Sequence, residues 1–154
     1  MNKQAIIDVF NEVRQSELTS ISQYMAHSYY LNDMGFKKLG AEFEKEAVDE
    51  MKHAEALAVR ILDLEGDPEF KPLHPPHKKG TIEAMFKADI ALEKDAIERL
   101  GKGIKICSDN GDATSRIILD NIVQNEETHL LALKQHLKHL TNLGNDYLLK
   151  FVGE

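Results

Sequence analysis

The sequence of 154 residues has little of several features that define common protein classes. Its single cysteine and the lack of a C-x-x-C pair exclude a disulfide framework and the common cysteine-based zinc and iron sites. No apolar run approaches the roughly 20 residues that a transmembrane helix needs. Basic residues are not in excess either, because 26 Asp and Glu face 19 Lys and Arg, for a net charge of −7. That balance argues against nucleic-acid binding and suits a protein that attracts cations.

Proline is absent outside one segment, because all four prolines lie between residues 67 and 80. This segment is predicted to be an extended connector, with His74 and His77 as surface residues. The first residues enter an amphipathic pattern at once and show no signal-peptide core, so a cytoplasmic location is expected. The length fits a single domain over residues 1–154.

Apolar residues outside the connector recur at spacings of three and four, which predicts α-helices. The predicted fold is all-α, with four long helices, the connector between the second and third, and a short fifth helix. The predicted ranges are about 3–31, 36–65, 81–107 and 113–143, with the fifth helix at 145–152. One long crossover lets the third helix run parallel to the second, as in a four-helix bundle. The fifth helix is too small to bury its apolar surface alone, so we expect it to pack against a neighbour or another subunit.

Several single residues carry smaller expectations. Thr81 is a predicted N-cap, and Gly66 and Gly144 are predicted to end helices. Cys107 continues an apolar stripe and is therefore expected in the core. His136 and His139 are expected on a solvated or interface face. Gly101 and Gly103 weaken the third helix locally, and the sequence gives no reason for them.

Two pairs of residues combine a carboxylate with an imidazole three positions later. They are Glu50 with His53, and Glu126 with His129. On a helix, positions i and i+3 lie about 60° apart around the axis and about 4.5 Å along it, so each pair can reach one metal ion. One such pair is weak evidence, because Glu and His often share an exposed helix face.

Two further glutamates strengthen the metal interpretation. Glu17 precedes Glu50 by 33 residues, and Glu93 precedes Glu126 by the same interval. Turn-forming residues lie midway in each interval, at 32–35 and 108–111, so each hairpin would bring its two glutamates to one level. Two hairpins packed together would then gather four Glu and two His, which is the ligand set of di-iron carboxylate bundles.

Buried charge gives the alternative interpretation. Glu17 and Glu93 interrupt apolar stripes, and an ionised carboxylate there costs several kcal/mol unless it is paired or bound to metal. If Glu17 is considered by itself, a buried structural salt bridge would compensate its charge. Mixed carboxylate and imidazole ligation suits Fe, Mn or Zn, and four glutamates exceed what one metal needs. Tyr24 lies on the same face as Glu17 and either hydrogen-bonds a ligand glutamate or fills the core.

At these residues the chain resembles the bacterioferritins over essentially its whole length. The matching segments are Ser16-Glu17-Leu18, Gln23-Tyr24, Asp49-Glu50-Met51-Lys52-His53-Ala54, Arg60-Ile61-Leu62, Leu64-Glu65-Gly66, Ala91-Leu92-Glu93 and Glu126-Glu127-Thr128-His129. The resemblance implies a ferritin-like four-helix bundle, assembled through two-fold dimers into a hollow twenty-four-subunit shell. It also implies oxidation of Fe(II) by O2 or peroxide at an intrasubunit di-iron centre, storage of ferric mineral, and an electron-donor protein for iron release.

The resemblance assigns residues as well. The implied iron ligands are Glu17, Glu50, His53, Glu93, Glu126 and His129, with Glu50 and Glu126 as bridges. Met51 stands where family members bind a haem shared by two subunits, one methionine from each. Lys45 stands where some members have an iron-binding histidine on the inner wall, which disfavours that accessory site, although Glu46 and Asp49 remain acidic.

Two other functions remain open at this stage. A peroxide reductase of the rubrerythrin type shares the di-iron bundle but usually adds a C-x-x-C module, which is absent here. A haem-binding electron-transfer bundle with buried salt bridges leaves the repeated 33-residue interval unexplained.

Overall fold

The computed structural model describes residues 1–153, which form helices and connecting segments with no β-strand among them. The four long helices are α1 (Lys3–Asp33), α2 (Lys37–Asp63), α3 (Ile82–Asp109) and α4 (Ala113–Leu143), followed by a 3₁₀ helix (Gly144–Phe151). The predicted all-α bundle is confirmed, and each predicted boundary lies within two residues of the observed one. The fifth element is a 3₁₀ helix rather than a turn of α-helix.

The helices pack as two hairpins, α1 with α2 and α3 with α4, which meet along α1 with α3 and α2 with α4. The apolar core is split into two clusters. One cluster contains Phe10, Leu57 and Leu119, and the other contains Tyr24, Phe43 and Phe86. Along every helix, the predicted ligands fall between residues of these two clusters. The carboxylates therefore form a polar layer at mid-height, closed on both sides by apolar side chains.

The first three helices end in the same backbone motif, in which one residue with positive φ lets two amides turn back onto the last carbonyls. Gly35 (φ 92°) and Gly111 (φ 68°) supply that residue for α1 and α3. For α2, Gly66 lies just past the helix end, as predicted, and its amide donates to Ile61 O at 2.9 Å, but Glu65 takes the positive φ of 67°. Gly66 is required for space, since a Cβ there would lie 2.8 Å from Ile7 Cγ2.

The connector between α2 and α3 lies along α1 and is fixed to it by hydrogen bonds. In chain order these are Asn11 Nδ2 to Asp67 O (2.9 Å), Glu69 N to Asn11 Oδ1 (2.7 Å), Arg14 Nε to Glu69 O (2.7 Å), Leu73 N to Thr19 Oγ1 (3.0 Å) and His77 N to Gln23 Oε1 (3.0 Å). His74 is exposed, as expected, but the surface prediction for His77 is wrong. Its ring is partly buried against His27, because α1 presents polar side chains to this segment.

The C-terminal 3₁₀ helix packs on α4 and α2 of the same chain and buries Tyr147, Leu148 and Phe151. This packing overturns the prediction that His136 is solvated. Its Nδ1 lies 2.8 Å from Tyr147 Oη and its Nε2 lies 2.9 Å from the Glu42 carboxylate. His139 is exposed, as the sequence suggested.

The structure also gives the environment of three helix residues singled out in the sequence, Thr81, Cys107 and Gly103. Thr81 caps α3 by accepting a hydrogen bond from Ala84 N, and Cys107 is completely buried. A Cβ at Gly103 would lie 2.9 Å from Leu119 Cδ1, so this glycine permits α3 and α4 to approach. Within the described residues, no helix is both long and apolar enough to cross a membrane.

Candidate metal centre

All six residues of the repeated pattern meet in the polar layer. The carboxylates of Glu17, Glu50, Glu93 and Glu126 are at most 1% exposed, one from each helix. Both imidazoles point the Nδ1 atom into the layer, His53 from α2 and His129 from α4. The fold thus brings together the whole ligand set that the sequence pattern predicted.

The six residues form two overlapping groups, each with ligand atoms within 4.8 Å of one another. Glu17 and His53 belong only to the first group, and Glu93 and His129 belong only to the second. Glu50 and Glu126 belong to both. A carboxylate has two oxygens, so the shared pair can face two cations at once.

Six of the eight carboxylate oxygens of these four glutamates lack a hydrogen-bond partner. Both carboxylate oxygens of Glu17 and of Glu126 are buried without a hydrogen-bond partner, as are one oxygen each of Glu50 and Glu93. Buried polar atoms almost always have partners, and a buried unpaired carboxylate is costly. Within the described chain, no Lys or Arg pairs with these glutamates, and their ion-pair contacts involve only the imidazoles of His53 and His129.

His53 gives the same indication through its geometry. Its Nδ1 lies 2.9 Å from Glu126 Oε1, 3.5 Å from Glu17 Oε2 and 3.6 Å from Glu50 Oε2. None of these contacts is aligned as a hydrogen bond, so Nδ1 is also without a partner. One nitrogen and three carboxylates that face a common point, and not one another, are arranged as ligands of a cation.

His129 is held from its other side. Nδ1 lies 3.0 Å from Glu50 Oε1, while Nε2 lies 2.5 Å from Glu46 Oε2 and 3.2 Å from Asp49 Oδ2. Burial opposes the charged imidazole, but these carboxylates outweigh it and raise the pKa of His129 to about 12. A carboxylate behind a histidine fixes its orientation and increases its basicity as a metal ligand.

The carboxylates do not titrate alike. Burial, together with the charges of Glu50 and Glu93, raises the pKa of Glu126 well above its ordinary value. Burial also raises the pKa of Glu93. Burial acts in the same direction on Glu50, but the hydrogen bond with His129 and the nearby imidazole of His53 lower its pKa overall. Without metal, the layer therefore retains protons on some carboxylates, and metal binding must release them.

Tyr24 fills the core and also contacts the centre, so both of its proposed roles hold. Its ring is fully buried and packs edge-on against Phe43 at a centroid distance of 5.8 Å. Its hydroxyl donates to Glu93 Oε1 at 2.6 Å. Burial and the nearby Glu93 charge raise the pKa of Tyr24, so the phenol stays protonated and able to donate.

This geometry agrees with comparisons to known proteins. Residues 7–143 match the family model of the ferritin-like domain. The bacterioferritin of Mycobacterium tuberculosis is 38% identical over 141 residues, which cover 92% of this chain and 89% of the relative. That of Desulfovibrio desulfuricans is 33% identical over 98% of this chain and 84% of the relative. The chain belongs to the bacterioferritin family.

Solved bacterioferritin structures share the fold in detail. The D. desulfuricans structure, described with its diiron site in different catalytic states, superimposes with a TM-score of 0.96 over 99% of this chain and 89% of that one, at 33% identity. The M. tuberculosis structure gives 0.93 over 97% and 94%, at 37% identity. The carboxylate and histidine groups of this bacterioferritin chain thus have a di-iron protein as their structural counterpart.

Two further predicted positions lie outside the layer. Met51 is 54% exposed on the outer face of α2, directed away from the carboxylates. Lys45 is exposed, whereas Glu46 and Asp49 point their carboxylates at His129. From the sequence, these two acids were predicted only as a residual charge. They are three residues apart, and this spacing would have placed both on one side of α2.

A second polar cluster was missed entirely. Gln23, His27 and Asp89 are buried next to the layer, although the sequence pattern gave them no role. Asp89 lies four residues before Glu93, so helical periodicity could have placed it on the buried face. The predicted stripe used Ile90 instead, which is only partly buried.

Proposed function

We propose that this chain oxidises Fe(II) at a di-iron centre in the polar layer and stores the product as ferric mineral. The observation that carries the proposal is the set of buried carboxylate oxygens without donors. Four carboxylates carry a charge of −4 that two divalent cations would neutralise. When bound, two ferrous ions would supply the two electrons that reduce O2 or peroxide.

Each side chain has a proposed role in that centre. Glu17 and His53 would hold one iron, Glu93 and His129 the other, and Glu50 and Glu126 would bridge them. Tyr24 orients Glu93 through the 2.6 Å hydrogen bond, and Glu46 and Asp49 orient His129. The surrounding apolar clusters exclude water, which strengthens the attraction between the carboxylates and a cation.

Rapid mixing of the metal-free protein with Fe(II) and oxygen tests the proposal. We expect a fast phase that consumes about two Fe(II) per subunit, as two metals in one bundle require. Glu17→Ala, Glu93→Ala and His129→Ala should each abolish this phase without dissociating the assembly. His74→Ala, which changes an exposed histidine outside the centre, is the matched control. A fast phase that persists in all three variants would show that the iron-oxidising centre does not lie in this layer.

We further propose that Met51 binds a haem shared between two subunits. The thioether is exposed, and Val48, one turn before it on α2, is exposed as well. Val59 and Leu62 continue the exposed apolar surface along α2. A two-fold axis at this face would bring two methionines together on either side of a flat apolar ring.

Haem content separates this assignment from ordinary packing of Met51. The expected result is one haem per two subunits, with a low-spin spectrum distinct from that of bis-histidine haem. Met51→Leu should lose most of the haem and keep the fast iron-oxidation phase, and Met51→His should keep haem with an altered spectrum. Full haem and an unchanged spectrum in Met51→Leu, made with ample haem, would show that Met51 is not the ligand.

The proposal extends to assembly. Two-fold dimers through the exposed α2 face would build the hollow shell that the resemblance implies, with the mineral inside it. Neither alternative function has a specific observation in its favour. A peroxide reductase of the rubrerythrin type would need a module that supplies electrons to the di-iron centre, and a purely haem-binding bundle would not need the unpaired carboxylates.

A further inference from the structure

Four residues next to the metal centre form a closed ring of hydrogen bonds. Gln23 Nε2 donates to Asp89 Oδ1 at 2.8 Å, and His27 Nδ1 lies 2.8 Å from Asp89 Oδ2. His27 Nε2 lies 2.8 Å from His77 Nδ1, and the backbone N–H of His77 donates to Gln23 Oε1 at 3.0 Å. The ring therefore joins α1, α3 and the connector.

The ring is buried at one end and reaches solvent at the other. His27 and Asp89 are completely buried, whereas His77 is only partly buried and borders an open cavity of about 360 Å³ beside α3. Its position matters for the centre. Gln23 and His27 flank Tyr24 in α1, and Asp89 is one turn before Glu93 in α3. The ring thus fixes the two helix segments that carry the Tyr24–Glu93 hydrogen bond.

The chain of contacts dictates where protons lie. Burial raises the pKa of Asp89, and the hydrogen bonds with His27 and Gln23 act against that rise. As a carboxylate, Asp89 accepts Nδ1–H from His27. A neutral His27 then has a bare Nε2, which must accept Nδ1–H from His77. One additional proton is accommodated, since His27 as an imidazolium next to Asp89 can donate Nε2–H to a neutral His77. The ring is consequently intact with either no proton or one proton added.

A second added proton cannot be accommodated. With both imidazoles charged, two N–H groups face each other across 2.8 Å, and two positive charges are close together in a partly buried site. His77 is the member with access to solvent, so its ring would turn outward and break the contact. The hydrogen bond from the backbone N–H of His77 to Gln23 would then be weakened, because the ring contact no longer holds the connector in place.

We propose that the Gln23–Asp89–His27–His77 ring is an acid-sensitive latch that fixes the connector and positions Tyr24 and Glu93 at the metal centre. Gln23, Asp89, His27 and His77 act as positioning residues, because none of them contacts the six predicted ligands. The part that concerns Glu93 rests on the proposed function. The part in which the ring fixes the connector does not depend on the proposed function.

The charged surroundings of the latch favour this behaviour. From α3, Asp89 contacts His27, and Asp95 borders the same cavity as His77. From the connector, His74 borders the cavity, and Lys78 and Lys79 are exposed next to His77 in sequence. From α2, the side chain packed on His27 is the uncharged Phe43. Among residues 1–153, Asp89 is thus the carboxylate that contacts the two imidazoles directly, and it can balance only one of two imidazolium charges.

Hydrogen exchange of the whole metal-free protein, read by mass spectrometry between about pH 8 and about pH 5, tests the latch over the range in which imidazole titrates. After correction for the intrinsic pH dependence, peptides that contain the amide of residue 77 should lose protection as the pH falls. The amide of Glu69 is an internal control, because it is held by Asn11 outside the ring. Its protection should not change.

Two substitutions and one control separate a latch from a merely structural contact. In His77→Gln the amide side chain can donate to or accept from His27 but cannot take a proton, so protection should persist at acidic pH. In His77→Ala protection at residue 77 should be low at every pH. His74→Gln should behave as the unchanged protein does. The latch is refuted if the unchanged protein shows no acid-dependent loss, or if His77→Gln loses protection as the unchanged protein does.

Zn(II) binding tests the positioning role without iron chemistry. At about pH 7.5, His77→Ala should bind one of two Zn(II) ions more weakly by on the order of tenfold, the low end of losses seen when partners behind a ligand are removed. His74→Ala should bind as the unchanged protein does. Equal affinities in both variants would refute the positioning role. If Zn(II) did not bind at Glu93 at all, the proposed function would fail, while the exchange result would still decide the latch.

Discussion

Tyr24 is the residue at which packing and chemistry meet most directly. Its ring lies between Phe43 and His129 in the core, and its hydroxyl is the one uncharged donor to a predicted ligand, Glu93. A hydrogen bond to a charged group contributes about 1.5–3 kcal/mol. The hydroxyl therefore matters for how Glu93 faces a cation, while the ring matters for stability.

Substitution of this hydroxyl separates the two contributions. Tyr24→Phe should keep the fold and weaken binding of one of two Zn(II) ions by about tenfold, because roughly 1.4 kcal/mol corresponds to a factor of ten. Calorimetric titration of the metal-free protein measures both affinities. Tyr147→Phe is the matched control, since it removes a hydroxyl bonded to His136 far from the layer. Equal Zn(II) affinities in the two variants would mean that Tyr24 serves only packing.

At the scale of the helix, α3 contains two glycines in opposite environments, one exposed and one tightly packed. Gly101 is exposed, and a Cβ there would meet nothing within 4 Å. Gly103 is buried, and its Cβ would lie 2.9 Å from Leu119 Cδ1 and 3.3 Å from Val9 Cγ2. The contact surface of α1, α3 and α4 is therefore built around a missing side chain at Gly103.

Alanine at each position should change stability with opposite sign. Gly101→Ala should raise the free energy of unfolding by about 0.5–1 kcal/mol, since alanine favours helix. Gly103→Ala should lower it by about 1–3 kcal/mol, because Leu119 is buried and cannot move aside freely. Urea denaturation of both variants measures the two values. A stabilised Gly103→Ala would show that the helices can separate at little cost.

The molecule as a whole has an interior carboxylate layer whose stability depends on pH and metal. The raised pKa of Glu126 means that the folded chain holds a proton that the unfolded chain releases above about its ordinary value of 4.5. The stabilisation that Glu126 contributes to the folded state is fully present below pH 4.5. It is lost as the pH rises through the pKa of Glu126 in the folded state. His129 acts in the same direction above its ordinary 6.5, whereas Glu50, with a lowered pKa, acts only at the acidic end.

We therefore expect the free energy of unfolding of the metal-free protein to fall between about pH 5 and about pH 8, by up to about 1.4 kcal/mol per pH unit for each extra proton held. The melting temperature should fall with it. Glu126→Gln, which cannot ionise, should give a shallower slope. Differential scanning calorimetry over this range measures both. A slope unchanged by Glu126→Gln would mean that Glu126 is already ionised in the metal-free protein.

Metal should reverse this pH dependence, because cations displace the retained protons and bind more tightly as pH rises. Zn(II) at about 100 times its dissociation constant should stabilise the fold by about 2.7 kcal/mol per site. The combined loss of Glu50 and Glu126 should remove the stabilisation, and His74→Ala should retain it. A thermal shift that survives in the double variant would place the stabilising metal elsewhere.

The sequence by itself determined the four helices and the metal-centre residues. Helical periodicity, turn residues and the repeated interval of 33 residues are local or regular signals, so they survive without knowledge of packing. A glutamate inside an apolar stripe can also be recognised from the sequence, since burial of its charge needs compensation. The predicted ligands Glu17, Glu50, Glu93 and Glu126 could therefore be named before any contact between helices was known.

Only the tertiary structure decided which polar residues pair across helices. His77 and His136 appear as surface residues in sequence, and both turned out to be held by side chains far along the chain, His27 and Glu42. The reason for Gly103 likewise lies in Leu119 on another helix. Such contacts depend on the rotation of each helix about its axis and on the path of the connector along α1. No periodicity within one segment contains that information, because it is fixed by the fit of side chains between segments.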